Sequence, residues 1–357
     1  MFLLGLIAAV CFVPGYTGAY IPTQWVLGSC LLPLALWRRG PWTHLHWVGV
    51  GFLSYAALSM AWAADYYDGI WGLWLLSMIA LSFWLGTTLP SMDSLLKGLA
   101  LGLAVSSAVA VAQLWGWAHW SWKPSGLLFN SVILGETCAL VIVGLVSRGL
   151  WLWIPGILPA FVLSQSRGAI LLLAMGLVFI YMRRPLVLLC IALGLTWTIT
   201  YFPADSDILR LIIWNTTIHH LSLFGWGSGS FLGLFIGVEH PEYAHNDFLQ
   251  LWFEYGVGSL ALAYILAVCL LRTNQHEWPI LATFCVAALF SYPFYTPLLA
   301  LLGACAAGRC ARDWDLSRRI RERCRLDNLP LARARPSRTL PLQSRTSNNL
   351  PLLEQVR

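Results

Sequence analysis

Long apolar runs recur along this chain, and no other feature restricts its fold as strongly. Runs of roughly 15 to 25 residues suit helices crossing a hydrocarbon core about 30 Å thick. They fall near 1–13, 18–37, 46–63, 70–88, 95–116, 127–146, 150–164, 168–182, 185–201, 247–271, 279–291 and 294–308. Only 11% of the residues are charged, against about a quarter in soluble domains. The reading is therefore all-α: a polytopic membrane bundle of about twelve transmembrane helices over residues 1–308. The pair within 279–308 is short, and a re-entrant course fits it as well. Neither an internal repeat nor the alternation of a β-barrel is visible. The opening "MFLLGLIAAVCFVPG" has no basic leader and no small-x-small cleavage site, so it reads as an uncleaved first span.

Charge orients the bundle. From Arg309 onward there are 12 Lys/Arg against 5 Asp/Glu, whereas residues 1–308 carry 10 against 11. Residues 309–357 read as a basic, mostly disordered tail drawn to anionic membrane lipids. No fold motif supports a nucleic-acid role for it. Lys and Arg collect in cytoplasmic loops. With the N-terminus inside, Arg38, Arg39, Lys97, Arg148, Arg183, Arg184, Arg272 and the tail all comply, which puts both termini in the cytoplasm. Lys123, Arg167 and Arg210 fall outside and need a reason. The nine cysteines lie in apolar segments or the tail without metal-ligand spacing, and read as packing residues.

The largest loop, 202–245, is also on the outside. Its stretch "DSDILRLIIWNTTIHH" puts Ile208, Leu211 and Ile212, with Asn215, at helical spacing, the pattern of an amphipathic helix at a membrane surface. "FGWGSGSFLG" follows, suited to a turn whose backbone comes close to another segment.

Each outer cation has a chemical reading and a plainer one. Arg167, in "SQSRGAI" between two short apolar arms, has the planar fork that suits a phosphate; it could equally snorkel to the outer headgroups. Arg210 precedes Trp214 by one turn and would serve the same anion or face lipid. Lys123, among tryptophans in "WAHWSWKPSG", reads as a membrane anchor or a supporting contact. At the start of the run 247–271, His245 is a general-base candidate near pH 7. Asn246, Gln250 and Glu254 form a polar stripe at i, i+4 and i+8, and Asp247 would cap the helix or complement its dipole. Lipid does not tolerate such a stripe, so it should face a water-filled cavity or polar groups within the bundle. The plainer reading makes His245 and Asn246 simple caps.

Together these residues suggest arginines that hold a diphosphate leaving group and a histidine that deprotonates an acceptor hydroxyl. Without an HExxH, a phosphate-binding glycine loop or an acidic metal cluster, the simpler reading is metal-independent transfer with no cofactor.

The same stretches carry a resemblance. "SQSRGAI", "ILRLIIWNTTIHHLSLFGWGSGSF" and "HNDFLQLWFEYGVG" resemble the O-antigen ligase-like family of bacterial inner-membrane glycosyltransferases, which includes O-antigen ligases, polysaccharide polymerases and protein O-oligosaccharyltransferases. The shared pattern is an SRG turn, an arginine followed by Trp, a G-x-G-rich stretch, HN-x-x-L and E-x-G. "LSMAWAAD" (Leu58 to Asp65) and "GLLFNSVILGE" (Gly126 to Glu136) are weaker echoes. The resemblance implies that Arg167 and Arg210 bind the diphosphate of an undecaprenyl-linked glycan and that His245 activates or positions the acceptor hydroxyl, at the periplasmic face, with inversion at the anomeric carbon. The acceptor would be lipid A core, a second glycan or a protein. The alternative from another class is a transporter or flippase with the same arginines lining an anion pathway. Such carriers place ionisable residues near the bilayer midplane, often between repeated halves.

Overall fold

A computed structural model describes residues 1–10, parts of 28–41, 42–117, 123–128, 130–181, 205–231, 243–271 and 276–333. Among the described residues every regular element is helical. The α-helices are α1 Phe2–Val10, α2 His44–Ser59, α3 Tyr66–Thr88, α4 Asp93–Leu114, α5 Ser131–Ser147, α6 Leu158–Leu163, α7 Arg167–Tyr181, α8 Asp205–His219, α9 Asp247–Tyr255, α10 Leu260–Leu271, α11 Trp278–Ala287 and α12 Pro297–Arg333. Three stretches are long and apolar enough to cross a membrane: α3, α4, and the run Asp247–Leu271 that contains α9 and α10. The helices α5, α7 and α11 are apolar but shorter. The expected span at 185–201 and the tail beyond 333 lie outside the described residues, as does most of the span at 18–37.

Two compact units divide the chain, Met1–Asp315 and Leu316–Arg357. All the candidate site residues belong to the first. Its centre is α5, which is buried from Ile133 through Val146, the pattern of a helix surrounded on every side. Helices in a lipid setting associate through close packing of small residues. Here α1 lies along α4, where Gly98 and Gly102 leave room for the backbone of Phe2 and Leu6 and for Ala9. In the same way α3 meets α12 through Gly86 and Gly308, against Cys305 and Phe83.

Short polar residues set the helix starts. Asp65 accepts hydrogen bonds from the backbone N–H groups of Tyr67 and Asp68, and Asn130 does the same for Val132 and Ile133. These are the donors a first turn leaves without partners.

Several sequence expectations change. The run 150–164 is not one helix: a 3-10 turn at Trp151–Trp153 precedes α6. With six residues, α6 is about 9 Å long. The run 247–271 breaks at Gly256, whose φ of 51° admits only a residue without a Cβ at little cost. A 3-10 turn at Gly256–Ser259 then leads into α10. The last helix does not stop near residue 308 but continues to Arg333. On α8 the structure adds which face the protein itself covers. Ile213 and Thr217 are buried, and Arg210 and Trp214 are half-buried beside them. Leu211 and Ile212, on the apolar stripe expected to meet a membrane surface, are exposed on the protein, as such a stripe must be. The spacing of apolar residues alone does not show that a tryptophan and an arginine share the covered face.

Candidate functional site

Four segments converge on the start of α9. Trp214 of α8 donates its indole N–H to the carbonyl of Ala244 at 2.8 Å, and the Ala244 N–H donates to Gln250 Oε1 at 2.9 Å. These two bonds tie the residues before α9 to α8 on one side and to α9 itself on the other. Asn246 caps the helix, its Oδ1 accepting from the Leu249 N–H at 3.0 Å. Asp247 is not the cap, one of the two roles the sequence offered it, but it stands in the first turn, the position of the other. Its side chain is buried and accepts from the Phe294 N–H at 2.7 Å, and its own N–H donates to the Ala288 carbonyl.

His245 sits between these anchors at φ 52°, in the left-handed region. For a residue other than glycine that conformation costs energy and is held only when the surroundings fix it, a pattern that clusters at functional positions. Its ring packs edge-on to Tyr292, centroids 5.3 Å apart, and Tyr292 stacks on Tyr243 at 4.5 Å. Neither ring nitrogen bonds to a described residue. Burial first, and the nearby charge of Arg210 second, pull the imidazole down to about 4. The ring is therefore neutral at pH 7 and has a lone pair with which to accept a proton.

Arg210 lies within electrostatic range of both His245 and Glu136. Glu136, 2% exposed on the central helix α5, accepts a 2.7 Å hydrogen bond from the Ser291 hydroxyl. The same carboxylate adjoins the SRG turn: a Cβ on Gly168 would sit 3.0 Å from Glu136 Oε1. Arg167, the first residue of α7, is half-buried at that turn. Glu136 thus links the neighbourhoods of the two arginines.

The polar stripe of α9 faces polar groups inside the bundle. Gln250 and Glu254 are buried; Gln250 donates to Glu254 at 3.2 Å, and the Tyr295 hydroxyl donates to Glu254 at 3.0 Å. Asp247 is within electrostatic range of Glu136 and Glu254. Its Oδ1 is buried with no hydrogen-bond partner among the described residues, an unusual state for a carboxylate oxygen that calls for an explanation.

The glycine-rich turn braces the far end of α9. Gly225, Gly227 and Gly229 all have positive φ. The N–H groups of Trp226 and Gly227 donate to the carbonyls of Phe253 and Glu254 at 3.0 and 2.9 Å. Ser228 bonds to Gly69, Ser59 and Tyr255, and the Ser230 hydroxyl accepts from the Ala64 N–H. "LSMAWAAD" and "FGWGSGSF" are therefore in direct contact, though far apart in the chain.

His245, Arg210, Trp214, Asn246, Asp247, Gln250 and Glu254 all come together at this site. Arg167 adjoins them through Glu136. Lys123 stands apart. It is exposed, and the turn that follows it is held by Gln113 and Ser106 of α4. Glu136, Ser291, Tyr292 and Tyr295 were not singled out from sequence. A signal existed for Glu136, a lone carboxylate in the apolar run 127–146. For the others it was "SYPFYTP", which interrupts two short apolar arms. Among the described residues, no group of three or more His, Cys, Asp or Glu side chains is arranged to hold a metal ion.

Chemically, the arrangement offers a neutral base beside a half-buried guanidinium, backed by a hydrogen-bonded carboxylate floor. It suits an anion at the arginines and a proton donor at His245. No protein-family model matches the sequence, and no curated protein matches it.

Proposed function

We propose that this chain is a membrane glycosyltransferase that moves a glycan from undecaprenyl diphosphate to an acceptor hydroxyl, in the manner of an O-antigen ligase. The observation that supports this reading most is the placement of His245, neutral and held at positive φ, within electrostatic range of Arg210. In the proposed step His245 takes the acceptor's hydroxyl proton as the acceptor oxygen bonds to the anomeric carbon. The bond from that carbon to the diphosphate breaks, and its electron pair leaves with the diphosphate. Arg210 and Arg167 neutralise the charge that develops there, and Arg210's fork can engage two oxygens at once. Attack opposite the leaving group inverts the anomeric centre.

The proposal places the protein in a bacterial inner membrane, with about twelve spans, both termini cytoplasmic and the site toward the periplasm. The depth of the turn 288–296 is consistent with this. It follows α11, whose ten residues cover about 15 Å, roughly half a hydrocarbon core. Non-helical backbone at such depth is tolerated where it is buried in protein or lines a watery cavity. Polymerase and protein O-oligosaccharyltransferase share the donor chemistry and differ in the acceptor.

A second reading, a transporter of lipid-linked polysaccharide, draws on the buried Glu136, Asp247 and Glu254, because intramembrane carboxylates also serve ion-coupled carriers. Reconstitution separates the two. Purified protein in liposomes with undecaprenyl-diphosphate glycan is offered lipid A core, a second donor molecule or a pilin-like protein. Glycan joined to one acceptor supports transfer and names the subclass. Movement of the lipid-linked glycan across the bilayer without joining supports transport.

A further inference from the structure

The turn 288–296, between α11 and α12, leaves a backbone donor in need of a distant partner. Pro293 lacks an N–H and stops a helix from running through, so a buried donor beside it must find its acceptor elsewhere. The Phe294 N–H finds it on Asp247 Oδ2 at 2.7 Å, and the Asp247 N–H donates to the Ala288 carbonyl at 2.8 Å. One residue of α9 therefore grips the turn at both ends. Ser291 and Tyr295 are also held, by Glu136 and Glu254, but through their side chains.

Tyr292 lies between the two gripped points, and His245 packs against its ring. The backbone on either side of His245 is fixed by Trp214, Gln250 and Asn246. Its imidazole has no hydrogen bond to a described residue, so the contact with Tyr292 is what orients the ring. Arg210 on α8 is the charged group that acts on the imidazole. Tyr292 is the titratable side chain packed on it, and Tyr243 in turn stacks on Tyr292.

The fold gains little from the Asp247 carboxyl itself. It is buried, its Oδ1 has no hydrogen-bond partner among the described residues, and Glu136 and Glu254 lie within electrostatic range. A carboxyl in such a setting is a poor source of stability. What it does supply is the acceptor that fixes the backbone next to Tyr292.

We infer that Asp247 is a positioning residue: by gripping the turn at Phe294 and Ala288 it holds Tyr292 against His245 and so aims the imidazole at the acceptor hydroxyl. What the imidazole does there rests on the transferase reading; the grip on its ring does not. The oxygen of Asp247 then matters and its charge does not. Asp247→Asn keeps a carbonyl oxygen for the Phe294 N–H, Asp247→Ala removes it, and both remove the charge.

The test is a pH titration by NMR of the full chain in detergent with ¹³C-labelled histidine. Among the eight histidines, the His245 signal is the one lost in His245→Gln. In the unaltered chain it should titrate at about 4. Asp247→Ala frees the turn, admits water to the ring and should move the midpoint up toward the ordinary value of about 6.5. Asp247→Asn should leave it where it was. Tyr292→Ala should match Asp247→Ala, and Tyr292→Phe, which keeps the ring, should match the unaltered chain. In the transfer assay Asp247→Ala should lower kcat about ten- to a hundredfold with donor KM within about twofold, and Asp247→Asn should recover most of the loss. An unmoved His245 midpoint in Asp247→Ala would overturn the proposal, and so would an equal shift in Asp247→Asn, which would assign the effect to charge. Should Asp247→Ala fail to fold, the Tyr292 pair decides: a midpoint unmoved by Tyr292→Ala overturns the proposal. If the unaltered chain transfers no glycan while the titrations behave as expected, the transferase reading fails and the positioning of His245 stands.

Discussion

The central helix α5 has buried charge near both ends, and the two clusters are built differently. Just beyond its C-terminal end, Arg148 pairs with Asp93 at 2.5 Å and with Glu277, while Arg309 pairs with Asp313 and reaches Glu277 at 3.8 Å. Cations and anions there meet in direct contact, although the Nε atoms of Arg148 and Arg309 have no hydrogen-bond partner among the described residues. Near the N-terminal end, about 18 Å away along the helix, carboxylates predominate. Glu136, Asp247 and Glu254 are held by hydroxyl, amide and backbone donors. Arg210 acts on Glu136 and His245 across space, and Asp247 Oδ1 has no hydrogen-bond partner among the described residues. Charges met by opposite charges in contact support a fold, whereas carboxylates held by neutral donors, with a cation acting only across space, suit the binding of something else.

The largest expected effects should separate the two ends. His245→Ala and Arg210→Ala should each reduce glycan transfer about 10²- to 10⁴-fold, with insertion and thermal midpoint nearly unchanged. Transfer rates in proteoliposomes, read beside a melting curve, check this. Arg210→Lys should also be impaired, because an ammonium cannot reproduce a two-point fork. Arg148→Ala should do the reverse. It leaves Glu277 buried without its principal partner, a change worth about 3–5 kcal/mol, and lowers the melting midpoint while folded molecules keep their turnover.

Smaller effects sharpen the contrast. Gly229→Ala puts a Cβ against the Asp68–Gly69 backbone at a φ of +69°. About 1–3 kcal/mol of strain should follow, measurable as a lower melting midpoint. Trp214→Phe removes one hydrogen bond to Ala244, a loss of about 0.5–1.5 kcal/mol, and should slow transfer modestly by loosening His245. The pH dependence is the most subtle. His245 is held at about 4 in the fold, below its ordinary 6.5. Between those values the unfolded chain binds more protons than the folded one, so this group's contribution makes stability fall as pH drops from 6.5 toward 4. The acid limb of kcat/KM should lie near 4, and a limb near 6.5 would show that the ring is better solvated than its packing implies.

Sequence reading carried far where local chemistry decides. The apolar runs at 70–88 and 95–116 became α3 and α4, the "DSDILR" start announced α8, and the polar stripe of α9 faces polar groups inside the bundle. It failed where a contact depends on residues distant in the chain. Asp247, read as a cap or a complement to the helix dipole because it opens a helix, also serves a backbone N–H 47 residues away. That Trp214 belongs to the covered face of α8 shows only in its bond to Ala244, which helical spacing cannot reveal. Glu136 was visible as a lone acid in an apolar run, but its proximity to Arg210 and the SRG turn exists only once α5, α7 and α8 are assembled.

The most direct test of the central claim compares three chains in one experiment: the unaltered protein, His245→Ala and Arg148→Ala, each assayed for single-turnover transfer from undecaprenyl-diphosphate glycan and for thermal midpoint. The expected result is loss of transfer at an unchanged midpoint for His245→Ala, and a lowered midpoint with transfer per folded molecule preserved for Arg148→Ala. Transfer retained by His245→Ala, with transfer lost by folded Arg148→Ala, would contradict the account and move the reacting site to the other end of α5.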